Sequence, residues 1–494
     1  MACTTILVGK KASYDGSTMI ARNDDSGSGH FTAKKFVTIH PAEQSPSYKS
    51  VLSHVEIELP KNPMRFTAVP NAIEGKGIWA ASGVNEANIG MTATETITSN
   101  PRVLGADPLV EYRPSQNGQP ETAGGIGEED IVYIVLPYIH SAREGVERLG
   151  GLLEKYGTYE MNGIAFQDVN EIWWMETIGG HHWIARRVPD DVYAVMPNQL
   201  GLDQFDLEDA LAGKKSYMCS ADMREFIGKN HLDLSLNGYL NPRDAFGTHD
   251  DSDHVYNTPR AWYMLRYFNP HTKVWDGPNA DFTPLSDDLP WCMVPEKKIT
   301  PEDVKYALSS HYQGTPYDPY ENHGNSAMKG IFRSVGINRN DFMALIQMRP
   351  DVPEEFRVVE WIAFASNAFN AMAPFYANVS ATPDYFANTA KEVSTDSFYW
   401  ASRMVAAMAD ASYSKSIFHI ERYQLAVQSK GHMLINKYDE KLRNEADAAK
   451  RAALREQANQ ETADMLKKET TNTLGNVLFE LSSQMKNAYS RSDT

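Results

Sequence analysis

Hydrophobic and polar positions in the first hundred residues follow the short alternation of β-strands separated by turns. Residues 55–59, Val-Glu-Ile-Glu-Leu, alternate strictly and are typical of a half-buried strand. A strand pair is expected at 77–82 and 89–94, joined by a turn at 85–88. Three further runs rich in β-branched residues predict strands at 4–9, 18–22 and 35–40.

Helical periodicity begins near residue 141. Ser141 and Glu144 have the spacing of a capping box at a helix start. Apolar residues then recur at helical spacing: Val146, Leu149, Leu152 and Leu153. A second helix is expected to begin at Pro301, because Thr300 and Asp303 supply a cap pattern around it. From 397 onward the pattern is helical, and the charged segment 440–468 is typical of an exposed helix.

The middle of the chain mixes strands with long loops. Strands are expected at 163–166, 171–177, 182–187, 192–196, near Ile331, and at 342–347, 358–364 and 374–379. The stretch 201–295 is rich in Asp, Asn, Pro and aromatic residues, which favours loops around short helices. We therefore predict an α+β fold. Its main domain is expected at 3–395, with loop and helix insertions at about 201–330, and a helical C-terminal extension at 396–494 packs on or beside it.

Composition narrows the function classes. The chain has 494 residues and a formal net charge of −17, which argues against binding to nucleic acid or to an anionic membrane surface. No apolar run approaches the length of a membrane span, and the N-terminus lacks a secretory pattern. Only Cys3, Cys219 and Cys292 are present, which does not indicate a disulfide framework. We expect a cytoplasmic protein, and its exposed C-terminal helices leave a homo-oligomer open.

Two histidine groups have the residue types of a metal site. His181 and His182 are adjacent, and adjacent strand residues face opposite sides, so they are not expected to share a metal. His249 and His254 lie among three aspartates, a pattern more typical of solvated turns. No metal site is predicted. The sequence also lacks the common motifs of nucleotide-binding proteins, zinc peptidases and α/β-hydrolases.

Cys3 stands at the head of the first predicted strand. Removal of Met1 and Ala2 would make Cys3 the N-terminal residue. Its α-amine could then serve as general base for its own thiol, because both groups titrate near neutral pH. Taken alone, a cysteine at this position is more typical of a small buried side chain.

Further motifs follow Cys3 in a recognisable order. Cys3-Thr4-Thr5 opens the chain, and Arg22 and Asp25 fill an Arg-x-x-Asp pattern. Later segments with matching patterns are Asp15-Gly16-Ser17, Gly83-Val84-Asn85-Glu86, Trp173-Trp174-Met175-Glu176, Gly180-His181-His182-Trp183, Val195-Met196-Pro197-Asn198 and Thr258-Pro259-Arg260. Together, from Cys3 to Arg260, they resemble the cysteine dipeptidases of the dipeptidase A (PepD) family. That family is related to penicillin V acylase and bile salt hydrolase within the N-terminal-nucleophile hydrolase superfamily.

This resemblance implies an αββα sandwich and a cysteine-dependent dipeptidase that forms an acyl-enzyme. Cys3 would be the nucleophile and its α-amine the base, with Asp25 orienting the amine. Arg22 would favour the thiolate, Asn198 would donate to the oxyanion, and Arg260 would support the electrostatics around the nucleophile. No metal or organic cofactor is required.

Substrate recognition is less well defined by the resemblance. The acylases carry a further oxyanion residue after the Asn-Glu turn, but residues 92–96 offer no clear counterpart. We hypothesise that Glu95 in this stretch binds the free ammonium group of a dipeptide, and that Asn85 lies at the substrate site. Two alternatives remain open: an amidase acting on N-acyl amino acids or bile-salt conjugates, and a catalytically silent peptide-binding protein.

Overall fold

The computed structural model describes residues 3–73, 75, 77–236, 238–321 and 325–486, without the side chains of Thr94 and Glu95. The strands of the described residues are β1 (Thr4–Val8), β2 (Thr18–Asp25), β3 (Val37–Ile39), β4 (Ser47–Lys49), β5 (Glu56–Glu58), β6 (Phe66–Ala68), β7 (Ser82–Val84), β8 (Gly90–Thr96), β9 (Asn162–Gln167), β10 (Ile172–Ile178), β11 (His182–Arg187), β12 (Tyr193–Met196), β13 (Tyr217–Cys219), β14 (Cys292–Met293), β15 (Asn340–Met348), β16 (Val358–Phe364) and β17 (Ala373–Tyr376).

Helices are concentrated after β8 and at the C-terminal end. They are α1 (Pro101–Ala106), α2 (Glu128–Val135), α3 (Ala142–Tyr156), α4 (Met223–Lys229), α5 (Pro242–Phe246), α6 (Asp253–Tyr256), α7 (Thr258–Phe268), α8 (Pro301–Leu308), α9 (Asp384–Ala387), α10 (Phe398–Ala411), α11 (Tyr413–Asn444) and α12 (Ala448–Ser482). Among the described residues, none of these helices combines the length and the apolar character needed to cross a membrane. The mixture of sheet and helix confirms the predicted α+β class.

Two antiparallel sheets form the centre of the molecule. The first has the strand order β14-β12-β1-β2-β15-β16-β17, and the second has the order β13-β11-β10-β9-β8-β7. In the first sheet β1 lies between β12 and β2, with Thr5 opposite Met196 on one side and Arg22 on the other. Residues distant in sequence therefore meet at the N-terminal end of β1.

Buried side chains connect the two sheets and the helices outside them. Leu7 and Ile20 of the first sheet share a cluster with Ala165 and Trp174 of the second. The opposite face of the second sheet packs on α2 and α3, and the opposite face of the first packs on α7 and α8. Burial of apolar surface on both faces explains why β1 and β2 are buried along their whole length.

Several sequence predictions are confirmed and others are wrong. The strands at 182–187 and 358–364 have the predicted bounds, and α3 begins after Ser141, whose hydroxyl accepts from the Glu144 amide. In the pair predicted at 77–82 and 89–94, the first strand is β7, which begins only at Ser82. The strand near Ile331 does not form, because its short apolar run lies in a loop after Gly330, which has a positive φ of 63°.

The charged segment 440–468 is two helices, not one. The chain leaves helical geometry at residues 445–447, and the Asp447 side chain caps α12 by accepting from the Lys450 amide. One face of α12 is buried, including Ala458, Asn459 and Thr462. The prediction that this segment is exposed is therefore wrong for the buried face of α12.

His181 and His182 converge on one side chain, contrary to the expectation from strand alternation. The Nδ1 atoms of His181 and His182 lie 2.9 and 2.7 Å from the two carboxylate oxygens of Asp107. Strand alternation does not apply because His181 lies in the turn before β11. Burial opposes protonation of His182, but its hydrogen bond to Asp107 raises its pKa above the ordinary value.

Asn459 of α12 covers the edge of the first sheet at β17, which is buried beneath the helix. Its Nδ2 donates to the Tyr376 carbonyl at 2.9 Å, and its Oδ1 accepts from the Tyr376 amide at 2.8 Å. A helix side chain thus satisfies backbone groups that an edge strand leaves unpaired.

Replacing Asn459 with leucine should destabilise the fold, because both backbone groups of Tyr376 would lose their buried partner. We expect Asn459→Leu to lower the free energy of unfolding by about 2 kcal/mol, measured by urea denaturation. Gln460→Leu, at the neighbouring exposed position, is the matched control and should change stability by no more than about 0.5 kcal/mol. Equal stability of the two variants would contradict this role of Asn459.

Candidate active site

Cys3 lies just before β1, and its thiol is buried beside β2. Thr4 pairs with Asn23, so continuing this register by one residue places Cys3 opposite Asp24. Directly opposed residues of an antiparallel pair project from the same face. The Cys3 thiol accordingly donates to Oδ1 of Asp24 at 3.8 Å, and Arg22, two residues before Asp24, shares this face.

The guanidinium of Arg22 is the centre of the site. Its Nη2 lies 3.1 Å from Cys3 Sγ, 3.0 Å from Asp24 Oδ1 and 2.8 Å from Glu128 Oε1. Its Nη1 donates to the Ala81 carbonyl, just before β7 of the second sheet, and to the Ala93 carbonyl within β8. Burial opposes the charged form, but the negative charges of Cys3, Asp24 and Glu128 raise the pKa of Arg22. A fixed cation therefore lies against the sulfur and favours the thiolate.

Cys3, Asp24 and Glu128 form a donor set that resembles a metal site. One ligand atom from each lies within 4.8 Å of the other two. Arg22 Nη2, however, contacts a ligand atom of all three residues. A metal ion bound there would have to displace a guanidinium that already balances these charges, so the described geometry fits an arginine-centred site.

Lys34 adds a second cation to the group. Its Nζ lies 3.1 Å from Asp24 Oδ2, and both side chains are buried. Burial opposes ionisation of Asp24, but Lys34 and Arg22 lower its pKa below the ordinary value. Sequence reasoning missed Asp24, Lys34 and Glu128. The alternation of β2 could have identified Asp24, whereas Lys34 and Glu128 reach the site only through tertiary packing.

Asp25 points to the other face of β2. Its carboxylate accepts from Arg333 and, at 2.9 Å, from Nδ2 of Asn340. Burial raises the pKa of Asp25 although Arg333 opposes this shift. Cys3 lies opposite Asp24 in the antiparallel pair of β1 and β2. The next residue of β2, Asp25, therefore lies on the side of the Cys3 nitrogen. Its role toward a Cys3 amine stays a prediction.

Arg260 and Asn198 meet at Cys3 from two further elements. Arg260, in the first turn of α7, donates through Nη1 to the Cys3 carbonyl and to Thr4 Oγ1. Its Nη2 donates to Oδ1 of Asn198 and to Oδ1 of Asn257, each at 2.7 Å. Asn198 follows β12, which is the neighbour of β1 in the sheet. Because its Oδ1 accepts from Arg260, its Nδ2 donor points away from that guanidinium. Arg260 thus contacts Cys3 directly, and Asn198 is joined to Cys3 through Arg260.

The two predicted substrate-binding residues have different outcomes. Asn85 donates through Nδ2 to the carbonyls of Leu136 and Ile139, and its Oδ1 accepts from the amides of Ala87 and Ile89. Its amide is fully used in holding the turn before β8, which does not support a substrate contact. Glu95 belongs to β8, but its side chain lies outside the described residues.

Buried carboxylates extend from Glu128 along the start of α2. Oε1 of Glu160 accepts from the Glu128 amide at 2.8 Å, and Glu129 accepts from Ser50 and Tyr159. A helix N-terminus stabilises negative charge, which helps this first turn of α2 to hold Glu128 against Arg22. Burial raises the pKa of Glu160 to about 7, and the charge of Glu128 adds to this shift.

A cavity of about 760 Å³ adjoins the first sheet at the end of β2 that carries Asp25. Three arginines line it, and we call it the arginine-lined cavity: Arg333, Arg339 and Arg403. Arg333 connects it to Asp25, and Tyr256, another lining residue, accepts through its carbonyl from Nε of Arg260. Two lining residues of the cavity therefore contact Asp25 of β2 and Arg260, the residue that donates to the Cys3 carbonyl.

Comparison with known proteins places the chain in one group of enzymes. The family model described as peptidase family C69 matches residues 2–426. A protein of Bifidobacterium longum named dipeptidase is 52% identical over 532 aligned residues, which cover 100% of both chains. A probable dipeptidase A of Streptococcus pyogenes is 50% identical over 100% of both chains, and dipeptidase A of Lactobacillus helveticus is 42% identical over 97% of this chain and 96% of its own.

Glu160 should make stability depend on pH. Its raised pKa means that the folded protein keeps a proton that the unfolded chain loses, so stability falls as pH rises toward about 7. Glu160→Gln keeps the acceptor oxygen for the Glu128 amide and removes this titration. We expect the variant to exceed the wild type by about 1–2 kcal/mol at pH 8 and to equal it near pH 4, below the pKa of the unfolded chain, measured by urea unfolding.

The control is Glu147→Gln on the exposed side of α3, whose stability curve should run parallel to that of the wild type. A Glu160→Gln effect of constant size from pH 4 to pH 8 would show that titration of Glu160 is not its cause.

Proposed function

Because this chain belongs to peptidase family C69, we propose that it is a dipeptidase that uses Cys3 as an N-terminal nucleophile. The observation that carries the proposal is the 3.1 Å contact between Arg22 Nη2 and Cys3 Sγ at the head of a central strand. Relatives named dipeptidase that match over their whole length support the substrate class. The two facing sheets with helices outside them support the αββα architecture of N-terminal-nucleophile hydrolases. A cytoplasmic location belongs to the same proposal.

The proposed reaction begins once Cys3 is the N-terminal residue. Its α-amine takes the thiol proton, and the sulfur attacks the carbonyl carbon of the dipeptide. Nδ2 of Asn198 donates to the oxygen that gains negative charge, and Arg260 holds the Asn198 amide in place. The protonated amine gives its proton to the leaving nitrogen as the C–N bond breaks.

The second half of the reaction releases the acyl group. Water attacks the thioester, the Cys3 amine accepts a proton from that water, and the C–S bond breaks to regenerate the thiolate. Asp25 lies on the side of the Cys3 nitrogen and would keep the amine oriented in both halves. Arg22 stabilises the thiolate each time that it forms.

The relatives support a substrate with a free amine. Relatives named dipeptidase match this chain over their whole length, and a dipeptide carries a free ammonium group that an N-acyl substrate lacks. Around the sulfur, Asp24 and Glu128 are balanced by Arg22 and Lys34, and a thiolate is balanced by the Cys3 amine that takes its proton. The relatives therefore favour a dipeptidase over an acylase.

Processing is the first test of the nucleophile. We expect the intact mass of the purified wild-type protein to correspond to a chain that begins at Cys3, whereas Cys3→Ala should retain Ala2. The difference is expected because removal of Ala2 by attack of Cys3 needs the thiol. Active wild-type protein that still carries Ala2 would contradict the amine as the base.

Blocking the substrate amine is the second test. Turnover of a free dipeptide and of its N-acetylated form should differ by at least about tenfold in kcat/KM, because a dipeptidase has to recognise the free ammonium group that acetylation removes. Cys3→Ala should be inactive on both and serves as the control for contaminating peptidases. Equal turnover of both forms by the wild type would favour the acylase alternative.

A further inference from the structure

The arginine-lined cavity brings three arginines together in a strongly acidic protein. Among the described residues, its lining contains these arginines and one carboxylate, that of Asp410, although the whole chain has a net charge of −17. Whether the cavity can recognise an anion depends on which of the arginines is not already paired with a carboxylate.

Two of the three arginines already have partners. Arg333 donates to Asp25. Arg403 donates to the carbonyls of Asn338 and Asn340 and lies 3.5 Å from a carboxylate oxygen of Asp341. These two residues are committed to the structure of the cavity wall.

Arg339 differs from both. Within the described part of the chain, its guanidinium has no ion pair or hydrogen bond, and its Nε is buried without a partner. The residue is half-buried and lines the cavity. A partly desolvated guanidinium with unused donors is matched by a carboxylate, which it can bind through two parallel hydrogen bonds.

The backbone places Arg339 at the same end of the sheet as the nucleophile. Its carbonyl accepts from the Ser26 amide at 3.0 Å, and the next residue, Asn340, pairs with Asp25 across the strands. Cys3 lies opposite Asp24, two residues before Ser26, so the nucleophile and Arg339 lie at the same end of β2.

We propose that Arg339 binds the C-terminal carboxylate of the dipeptide and is a specificity-determining residue. This rests on the proposed function. Every dipeptide carries that carboxylate one residue beyond the bond that is cleaved, whatever its side chains. The carboxylate leaves with the first product, so Arg339 contributes to binding and acylation and not to hydrolysis of the acyl-enzyme.

The experiment compares a dipeptide with its C-terminal amide, which has the same bond to cleave and lacks only the negative charge. For the wild type we expect kcat/KM to be about tenfold to a hundredfold higher on the free dipeptide. Arg339→Gln should lose this preference through a fall on the free dipeptide, with turnover of the amide unchanged. Arg339→Lys should keep part of the preference for the free dipeptide.

Arg113→Gln, at an exposed position away from the cavity, is the matched control and should behave as the wild type. Melting temperatures of all variants check the fold. An equal loss on both substrates, an unchanged preference in Arg339→Gln, or a loss confined to dipeptides with an acidic second residue would each overturn the proposal. A wild type inactive on every dipeptide would instead refute the proposed function itself.

Discussion

The buried guanidinium of Arg22 is the interaction on which the rest of the site depends. Its Nη2 contacts the sulfur and two carboxylates, while its Nη1 bonds to two backbone carbonyls. Removing a charge from water is costly unless opposite charges and hydrogen bonds replace the lost solvation. Here that replacement comes from Cys3, β2, the second sheet and α2. The position of the nucleophile is consequently tied to the packing of both sheets.

Strand order explains how the other groups reach this point. Because β1 lies between β2 and β12, the end of β1 collects Arg22 and Asp24 from one neighbour and Asn198 from the other. Arg260 then joins Cys3 to Asn198 from the first turn of α7. These residues belong to separate elements of the chain. The antiparallel pairing of the strands, together with the packing of α7, makes them neighbours.

The sequence was informative where a short motif carried the chemistry. Cys3, Arg22, Asn198 and Arg260 could be named because they stand in recognisable segments in a fixed order, and the structure brings them together. Lys34 and Glu128 could not be named, because nothing in their local sequence shows that they face β2. The same limit explains Asn85, which belongs to a matching motif but whose amide is occupied by the backbone of its own turn and by the carbonyls of Leu136 and Ile139.

Fold prediction failed for a related reason. Short strand-like runs correctly located β11 and β16, whose bounds match the prediction and whose centres are buried. At Ile331 the apolar run lines a cavity, and at residues 445–447 a cap ends a helix inside a uniformly charged segment. Tertiary contacts determine the structure at Ile331, and a single capping side chain determines it at residues 445–447. Neither can be predicted from the periodicity of apolar residues.

The distribution of charge gives a physical reason for a dipeptidase to select such short substrates. The carboxylates of Asp24 and Glu128 lie beside the sulfur, and the guanidinium of Arg339, which has no partner among the described residues, lies at the same end of β2. A dipeptide is a zwitterion without net charge, so the acidic field of the whole protein neither attracts nor repels it at long range. Selection then depends on contacts at its two ends, within a distance over which salt screens little. A longer peptide would carry its carboxylate past Arg339 and leave that cation unpaired, which is a penalty that grows with burial.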